Sequence, residues 1–133
     1  MIIKFDEFVF KVNSRTEVKD ENDNLICFGI YDFSYKHRRR CYINDNEIFY
    51  SQLNIENSEV VVADSFDNIF FKVIDNKASN GYTLQGDIYN WDFKVLDDNS
   101  NVVMKSVDKY LLEVNIDSIE AIKFIFAFSR FKN

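Results

Sequence analysis

The sequence has no proline and only three glycines in 133 residues, Gly29, Gly81 and Gly86. No Pro-rich or Gly-rich stretch is therefore available to serve as a linker between domains. The length fits one domain around one hydrophobic core. We predict a single domain over residues 1–133.

Cysteine and histidine are also scarce, with Cys27, Cys41 and the single histidine His37. The two cysteines form no C-x-x-C pair, so they indicate neither a disulfide framework nor a zinc site, and we interpret them as reduced structural thiols. A Cys–His dyad is disfavoured because residues four apart in a strand are about 13 Å apart. Gly-rich phosphate loops, G-x-S-x-G and H-E-x-x-H motifs are absent. We expect a protein that is not an enzyme and that carries no cofactor and no metal.

Basic residues are outnumbered, with 16 Lys and Arg against 22 Asp and Glu, a net charge of -6. This balance disfavours nucleic acid as a partner. The longest apolar stretch, residues 119–131, is interrupted by charges and is shorter than the roughly 20 residues that span a bilayer. The first seven residues lack the apolar segment of a signal peptide. We predict no transmembrane segment and a cytoplasmic location.

Aromatic residues, in contrast, are abundant, with 14 Phe and 7 Tyr, and they favour strands. Alternating runs are separated by Asn/Asp clusters, which indicate hairpin turns because both residues tolerate the left-handed conformation. The spacing predicts an antiparallel meander of up to about a dozen strands, ending near residue 116. A change of parity near Tyr89 and Asn90 predicts a tight turn or a bulge. The clusters lie at residues 20–24, 44–47, 64–68 and 97–101.

The period changes after the last predicted strand, where a helix over about residues 118–131 is expected. Asp117 can cap this helix, with Glu120 closing a capping box. Apolar residues cover most of its circumference, so it must be enclosed by the rest of the chain. A closed barrel would enclose it and would also remove exposed strand edges. The narrow polar stripe is expected at one barrel mouth or against a few buried partners. It consists of Glu120, Lys123, Ala127 and Arg130.

The segment GYTLQGDIYNWDFKV at residues 81–95, followed by an Asp/Asn turn and Val-Val-Met-Lys at 102–105, resembles the LURF-one-related family. The resemblance extends over about residues 8–131. It implies the tubby-like and phospholipid scramblase superfamily fold, a mainly-β closed barrel of about 12 antiparallel strands around a buried C-terminal hydrophobic helix. The turns here use Asn where relatives favour Gly. The signature residues are Gly86, Asp87, Trp91, Asp92 and Phe93.

We interpret this signature as structural, with Trp91 packed on the terminal helix and Asp92 facing a turn. The alternative is that the Trp-Asp pair lines a ligand pocket.

One basic cluster runs through Lys36, His37, Arg38, Arg39 and Arg40. Tubby-like proteins bind phosphoinositides through basic surface residues, so the resemblance implies an anionic headgroup site here. Alternation would place Lys36, Arg38 and Arg40 on one strand face and the other two residues on the opposite face. The alternative is a solvated edge strand protected by its charge.

Two functional hypotheses follow for this chain. The first is a non-enzymatic binding module for a phospholipid or another anionic headgroup, located in the cytoplasm and at the periphery of a membrane when bound. The second is a protein-interaction or scaffold domain with no small-molecule ligand. A barrel filled by a helix leaves little interior room, so either site is expected on the surface or at a mouth.

Overall fold

The computed structural model describes residues 1–6, 15–32 and 37–129. These residues form twelve strands that close into one barrel, followed by a helix. Each strand is antiparallel to its neighbours in sequence, and β1 closes the barrel by pairing with β12. The predicted mainly-β closed barrel with a C-terminal helix is confirmed. The elements are β1 Ile2–Phe5, β2 Thr16–Asp20, β3 Leu25–Asp32, β4 Arg38–Ile43, β5 Asn46–Asn54, β6 Glu59–Ala63, β7 Ile69–Ile74, β8 Lys77–Ala78, β9 Thr83–Asp87, β10 Asp92–Leu96, β11 Val102–Asp108, β12 Leu111–Val114 and α1 Ser118–Phe128.

The strand order fixes the two ends of the barrel. Because α1 follows β12, the turns after even-numbered strands lie at the mouth where α1 begins. The turns after odd-numbered strands lie at the mouth where it ends. The predicted turn near Tyr89 and Asn90 is confirmed between β9 and β10, whereas β1 and the two-residue β8 were missed. The alternating run at residues 8–18, which precedes the first Asn/Asp cluster and predicts the first strand, lies largely outside the described residues.

Three of the predicted Asn/Asp turns share one hydrogen-bonding pattern. In the β6–β7 turn, Asp64 Oδ1 accepts from the N–H groups of Phe66 and Asn68, both at 2.9 Å, and Asp64 Oδ2 accepts from Asn68 Nδ2 at 3.0 Å. Asp20 and Asp97 make the same set of bonds in their turns. The side chains thus stabilise a left-handed residue where glycine is common. The left-handed residues are Asp23, Asp67 and Ser100, with φ of 64°, 67° and 65°.

The helix begins as predicted, with Asp117 Oδ2 accepting from the N–H groups of Ile119 at 3.0 Å and Glu120 at 3.3 Å. The capping box is not formed in full, because Glu120 accepts from Lys123 Nζ at 2.8 Å instead. The helix ends at Phe128 and not near residue 131, since Ser129 is extended and bonds Ile125 O through both its N–H and its hydroxyl. The predicted helical positions 130 and 131 lie outside the described residues.

The helix fills the barrel interior, and its residues 121–128 are all buried. The Phe124 ring packs 5.0 Å from that of Phe71, and the Phe126 ring 5.5 Å from that of Phe49. The polar stripe reaches one mouth, as predicted, because the Lys123 ammonium lies 3.6 Å from the centre of the Phe70 ring. Across the described ranges, no helix is long and apolar enough to cross a membrane.

Candidate functional site

The basic cluster lies on β4, which pairs with β3 on one side and with β5 on the other. The interpretation of an edge strand protected by charge is therefore wrong, because closure of the barrel leaves β4 without a free edge. Lys36 lies outside the described residues, whereas His37 directly precedes β4.

Arg39 points into the barrel, where only 2% of its surface is exposed. Its Nη1 donates to Ser129 Oγ at 3.3 Å, and its guanidinium carbon lies 4.8 Å from the centre of the Phe126 ring. Burial lowers the pKa of Arg39 to about 10. A cation at the C-terminal end of a helix is favoured by the helix dipole. Arg39 therefore holds the end of α1 and is not placed to contact a ligand outside the barrel.

Arg40 lies on the outer face between two carboxylates. Its Nε is 2.5 Å from Asp32 Oδ2, and its Nη1 is 2.8 Å from Glu47 Oε2. Partial burial lowers the pKa of Arg40, but the hydrogen bonds to Asp32 and Glu47 outweigh it and raise the pKa above its usual value. The positive charge of Arg40 is thus neutralised within the fold.

Arg38 shares the outer face with Arg40. Its guanidinium carbon lies 4.0 Å from the centre of the Tyr50 ring, and its Nε donates to Gln52 Oε1 at 2.7 Å. The predicted alternation thus places Arg38 and Arg40 together and Arg39 on the opposite face. With Asp32 and Glu47 included, the outer cluster holds two cations and two carboxylates and is neutral.

His37 adopts a left-handed conformation, with φ of 63°. Its N–H donates to the Tyr31 hydroxyl at 3.3 Å, and its C=O accepts from Leu53 N at 3.1 Å. Cys41 is fully buried, and a hydrogen bond with Cys27, together with burial, raises the pKa of the Cys41 thiol. A thiol in this state is a poor nucleophile. The structure therefore pairs Cys41 with Cys27, its neighbour on β3.

The five residues that carry the resemblance lie in the β9–β10 hairpin. Gly86 has φ of 100°, and a Cβ there would lie 2.4 Å from the backbone oxygen of Asp92. Asp87 Oδ1 accepts from the N–H groups of Tyr89 at 3.0 Å and Asn90 at 3.3 Å. The hairpin thus needs a glycine at position 86, where a Cβ would clash with the neighbouring strand. It uses the aspartate at position 87 to accept hydrogen bonds from the turn.

The indole of Trp91 packs against rings on the barrel wall, and it belongs to the same buried core as the helix residues. Its ring lies 5.5 Å from Phe5, 5.1 Å from Phe93 and 5.5 Å from Tyr110. Its Nε1 donates to the backbone oxygen of Leu111 on β12 at 2.8 Å. Phe93 is buried, whereas Asp92 is exposed at the start of β10 beside the turn. All five signature residues contribute to the hairpin and its packing.

An exposed apolar surface at the mouth where α1 begins was not predicted from the sequence. Phe66 is 83% exposed at the tip of the β6–β7 turn, and Ile69 and Phe70 follow it with 55% and 44% exposure. We call these three residues the rim patch. Asp64 and Asp67 flank Phe66 in the turn. The Lys123 ammonium lies over the Phe70 ring and is paired with the carboxylate of Glu120. The sequence feature that could have indicated this patch is a phenylalanine, Phe66, inside a turn of Asp and Asn residues.

A metal site in the described part of the chain would need a group of side chains that could bind the ion. Residues 1–6, 15–32 and 37–129 contain no group of three or more His, Cys, Asp or Glu side chains placed to hold a metal ion. The acidic residues 20–23 lie in a turn in which Asp20 accepts hydrogen bonds from the N–H groups of Asn22 and Asn24.

Comparison with family models and with curated protein sequences gives no match. Among solved structures, the chain is similar to an X-ray structure of a protein from Arabidopsis thaliana, with a TM-score of 0.69 and 14% sequence identity. The alignment covers 94% of this chain and 88% of that protein. At this identity the similarity supports the fold alone.

Proposed function

We propose that this chain is a non-enzymatic binding module that recognises a protein partner through the rim patch. The observation that carries the proposal is Phe66, which is 83% exposed although its turn is fixed by three hydrogen bonds to Asp64. Exposed aromatic residues in a rigid setting are typical anchors of protein interfaces. An ordered turn holds this apolar ring in water, so the free energy falls when a partner covers the ring.

The charges around the rim patch favour one class of partner. Asp64 and Asp67 give its border negative charge, and the whole chain carries a net charge of -6. A second copy of the chain or an anionic membrane would place like charges together. The complementary partner is a protein with an apolar pocket bordered by Lys or Arg.

The partner can be captured by replacing Phe66 with photoreactive benzoylphenylalanine, which keeps an aromatic ring at the same position. Ile55 is the matched control, because it is 59% exposed and lies in the β5–β6 turn at the opposite mouth. We expect a partner to crosslink from position 66 and not from position 55. Its affinity for the purified chain should then fall roughly tenfold to hundredfold in Phe66→Ala, since burying a phenylalanine contributes about 1.5–3 kcal/mol.

Two results would contradict the proposal. One is a captured partner that binds Phe66→Ala and Ile55→Ala as tightly as it binds the unmodified chain. The other is a crosslinked product that contains only two copies of the chain.

An anionic phospholipid headgroup is the second candidate ligand, and the partly exposed side chain of Arg38 on the outer face favours it. We propose Arg38 as its main contact, because Arg39 is buried and Arg40 is paired with carboxylates. Flotation with vesicles containing phosphoinositide should then be reduced in Arg38→Gln and unchanged in the control Lys94→Gln, a cation on the outside of β10. Equal flotation of both variants, or none with the unmodified chain, would exclude this site.

We further propose that the chain is a member of the LURF-one-related family and acts in the cytoplasm. The signature of residues 86–93 and the twelve-stranded barrel around a C-terminal helix support the membership. The cytoplasmic location is supported by the two buried cysteines, which are free thiols.

A further inference from the structure

The barrel wall has a gap beside β9, because β8 is only two residues long. Strand β9 pairs with β10 along its whole length, from Thr83 to Asp87. On its other side, β8 pairs with Thr83 alone. One further hydrogen bond follows, from Leu84 N to Asn76 O at 2.8 Å. Within the described chain, the side of β9 that faces β8 therefore has no strand partner beyond Leu84.

The backbone of β9 presents hydrogen-bonding groups at this gap. Successive peptide groups of a strand point to alternate sides. Because the N–H of Leu84 points toward Asn76, the C=O of Leu84 and the N–H of Gly86 point in the same direction, away from β10. Gly86 has no side chain to cover them. An extended segment laid along this edge would bond to both groups, as in recognition by strand addition.

The gap is also a cleft, with a volume of about 410 Å³. Leu84, Ile88 and Phe128, all buried, supply its apolar part. Asp75 and Asp87 supply carboxylates at its border. Asp87 is engaged by the β9–β10 turn, whereas Asp75 is exposed at the β7–β8 turn. A cleft of this size suits one or two side chains of a ligand.

We propose that this cleft binds an extended basic peptide segment, which pairs with the edge of β9 at Leu84 and Gly86. An apolar side chain of the peptide lies against Phe128, and a neighbouring Lys or Arg lies against Asp75. The site is at the mouth where α1 ends, opposite the rim patch, and it stands independently of the function proposed for the rim patch.

The test uses the full-length, ¹⁵N-labelled chain and two synthetic peptides, acetyl-KVKVK-amide and the acidic acetyl-EVEVE-amide. We expect the basic peptide to shift the backbone amide resonances of Gly86 and Asn76, and the acidic peptide to leave them unchanged. A third peptide, KVKVK with every backbone nitrogen methylated, should also leave them unchanged, because it cannot donate to the strand edge.

The contribution of Asp75 is tested with Asp75→Asn, and the matched control is Asp45→Asn, an exposed aspartate in the β4–β5 turn at the other mouth. Loss of an exposed ion pair should weaken binding of KVKVK about twofold to fivefold in Asp75→Asn, with no change in Asp45→Asn. Phe66→Ala should bind the peptide normally, which separates this site from the rim patch. The proposal is overturned if Gly86 and Asn76 do not shift at millimolar KVKVK, if EVEVE shifts them equally, or if both Asp variants lose the same affinity.

Discussion

Gly29 marks the closest approach between the barrel wall and the helix. A Cβ at this position would lie 2.6 Å from the Phe126 ring, well inside contact distance. Phe126 has little freedom to move, because it packs against Phe49 and under the guanidinium of Arg39. The position therefore requires glycine for reasons of space.

We predict that Gly29→Ala lowers the free energy of unfolding by about 1–3 kcal/mol, the usual cost of overpacking a core. Urea denaturation followed by tryptophan fluorescence measures this change. The control is the same substitution in a Phe126→Leu background, where the smaller side chain leaves room for the added methyl group. The cost of Gly29→Ala should be clearly smaller there. An equal cost in both backgrounds would show that contact with Phe126 is not the cause.

At the scale of single elements, the three hairpin turns beginning at Asp20, Asp64 and Asp97 act as acid-sensitive clamps. The pKa of each carboxyl is held below its usual 3.8, mainly by the backbone N–H of the asparagine four residues later. A group whose pKa is lower in the folded state contributes stability above its unfolded pKa. That contribution is lost as the pH falls below about 3.8 and through the folded pKa.

We therefore predict that the free energy of unfolding falls as the pH is lowered from 5 to 3. Replacing all three aspartates with asparagine should make this fall shallower, because asparagine accepts the same backbone hydrogen bonds without titrating. Urea denaturation at a series of pH values measures the slope.

The control for this prediction is Asp45, Asp75 and Asp92 changed together to asparagine, which alters the net charge equally. These exposed residues lie outside the three clamps, so the control should keep the slope of the unmodified chain more closely. If the free energy of unfolding had the same pH slope in both triple variants, the effect would come from net charge and not from the clamps.

At the scale of the whole molecule, α1 is the interior of the barrel. Its residues 121–128 are buried by strands from around the wall, with aromatic contacts to β5 and β7. Lys123 within the helix lies against Phe70 at one mouth, and Ser129, directly after the helix, bonds Arg39 at the other. The helix therefore organises both mouths. Without it, the inward faces of the strands would be exposed to water.

Deletion of residues 118–133 should therefore give insoluble protein, because the exposed apolar interior drives aggregation. Sedimentation followed by gel filtration of the supernatant measures the soluble fraction. Asp117→Ala is the graded control, since loss of the N-cap costs about 1 kcal/mol and should leave the protein soluble. A soluble, folded monomer after the deletion would show that the strands close without the helix.

The architecture could be predicted because its signals are local and repeated. The Asn/Asp turns predict hairpins, and the change of period after residue 116 predicts an apolar helix that must be enclosed. Strand β8 was missed because two residues, Lys77 and Ala78, carry no readable alternation. The helix end was misplaced because Ser129 stops it through bonds to Ile125 and Arg39, and Arg39 is distant in sequence.

The candidate sites depended far more on tertiary contacts. The sequence by itself determined the alternation of Arg38, Arg39 and Arg40, since successive residues of a strand face opposite sides. Only the tertiary structure decided that Arg39 lies against the helix end and that Arg40 lies between Asp32 and Glu47. It also decided that Phe66 stays exposed and that, among the described residues, one side of β9 has no strand partner beyond Leu84. Charge pairing, burial and strand partners join residues far apart in the chain, and a local pattern carries no information about which residues those are.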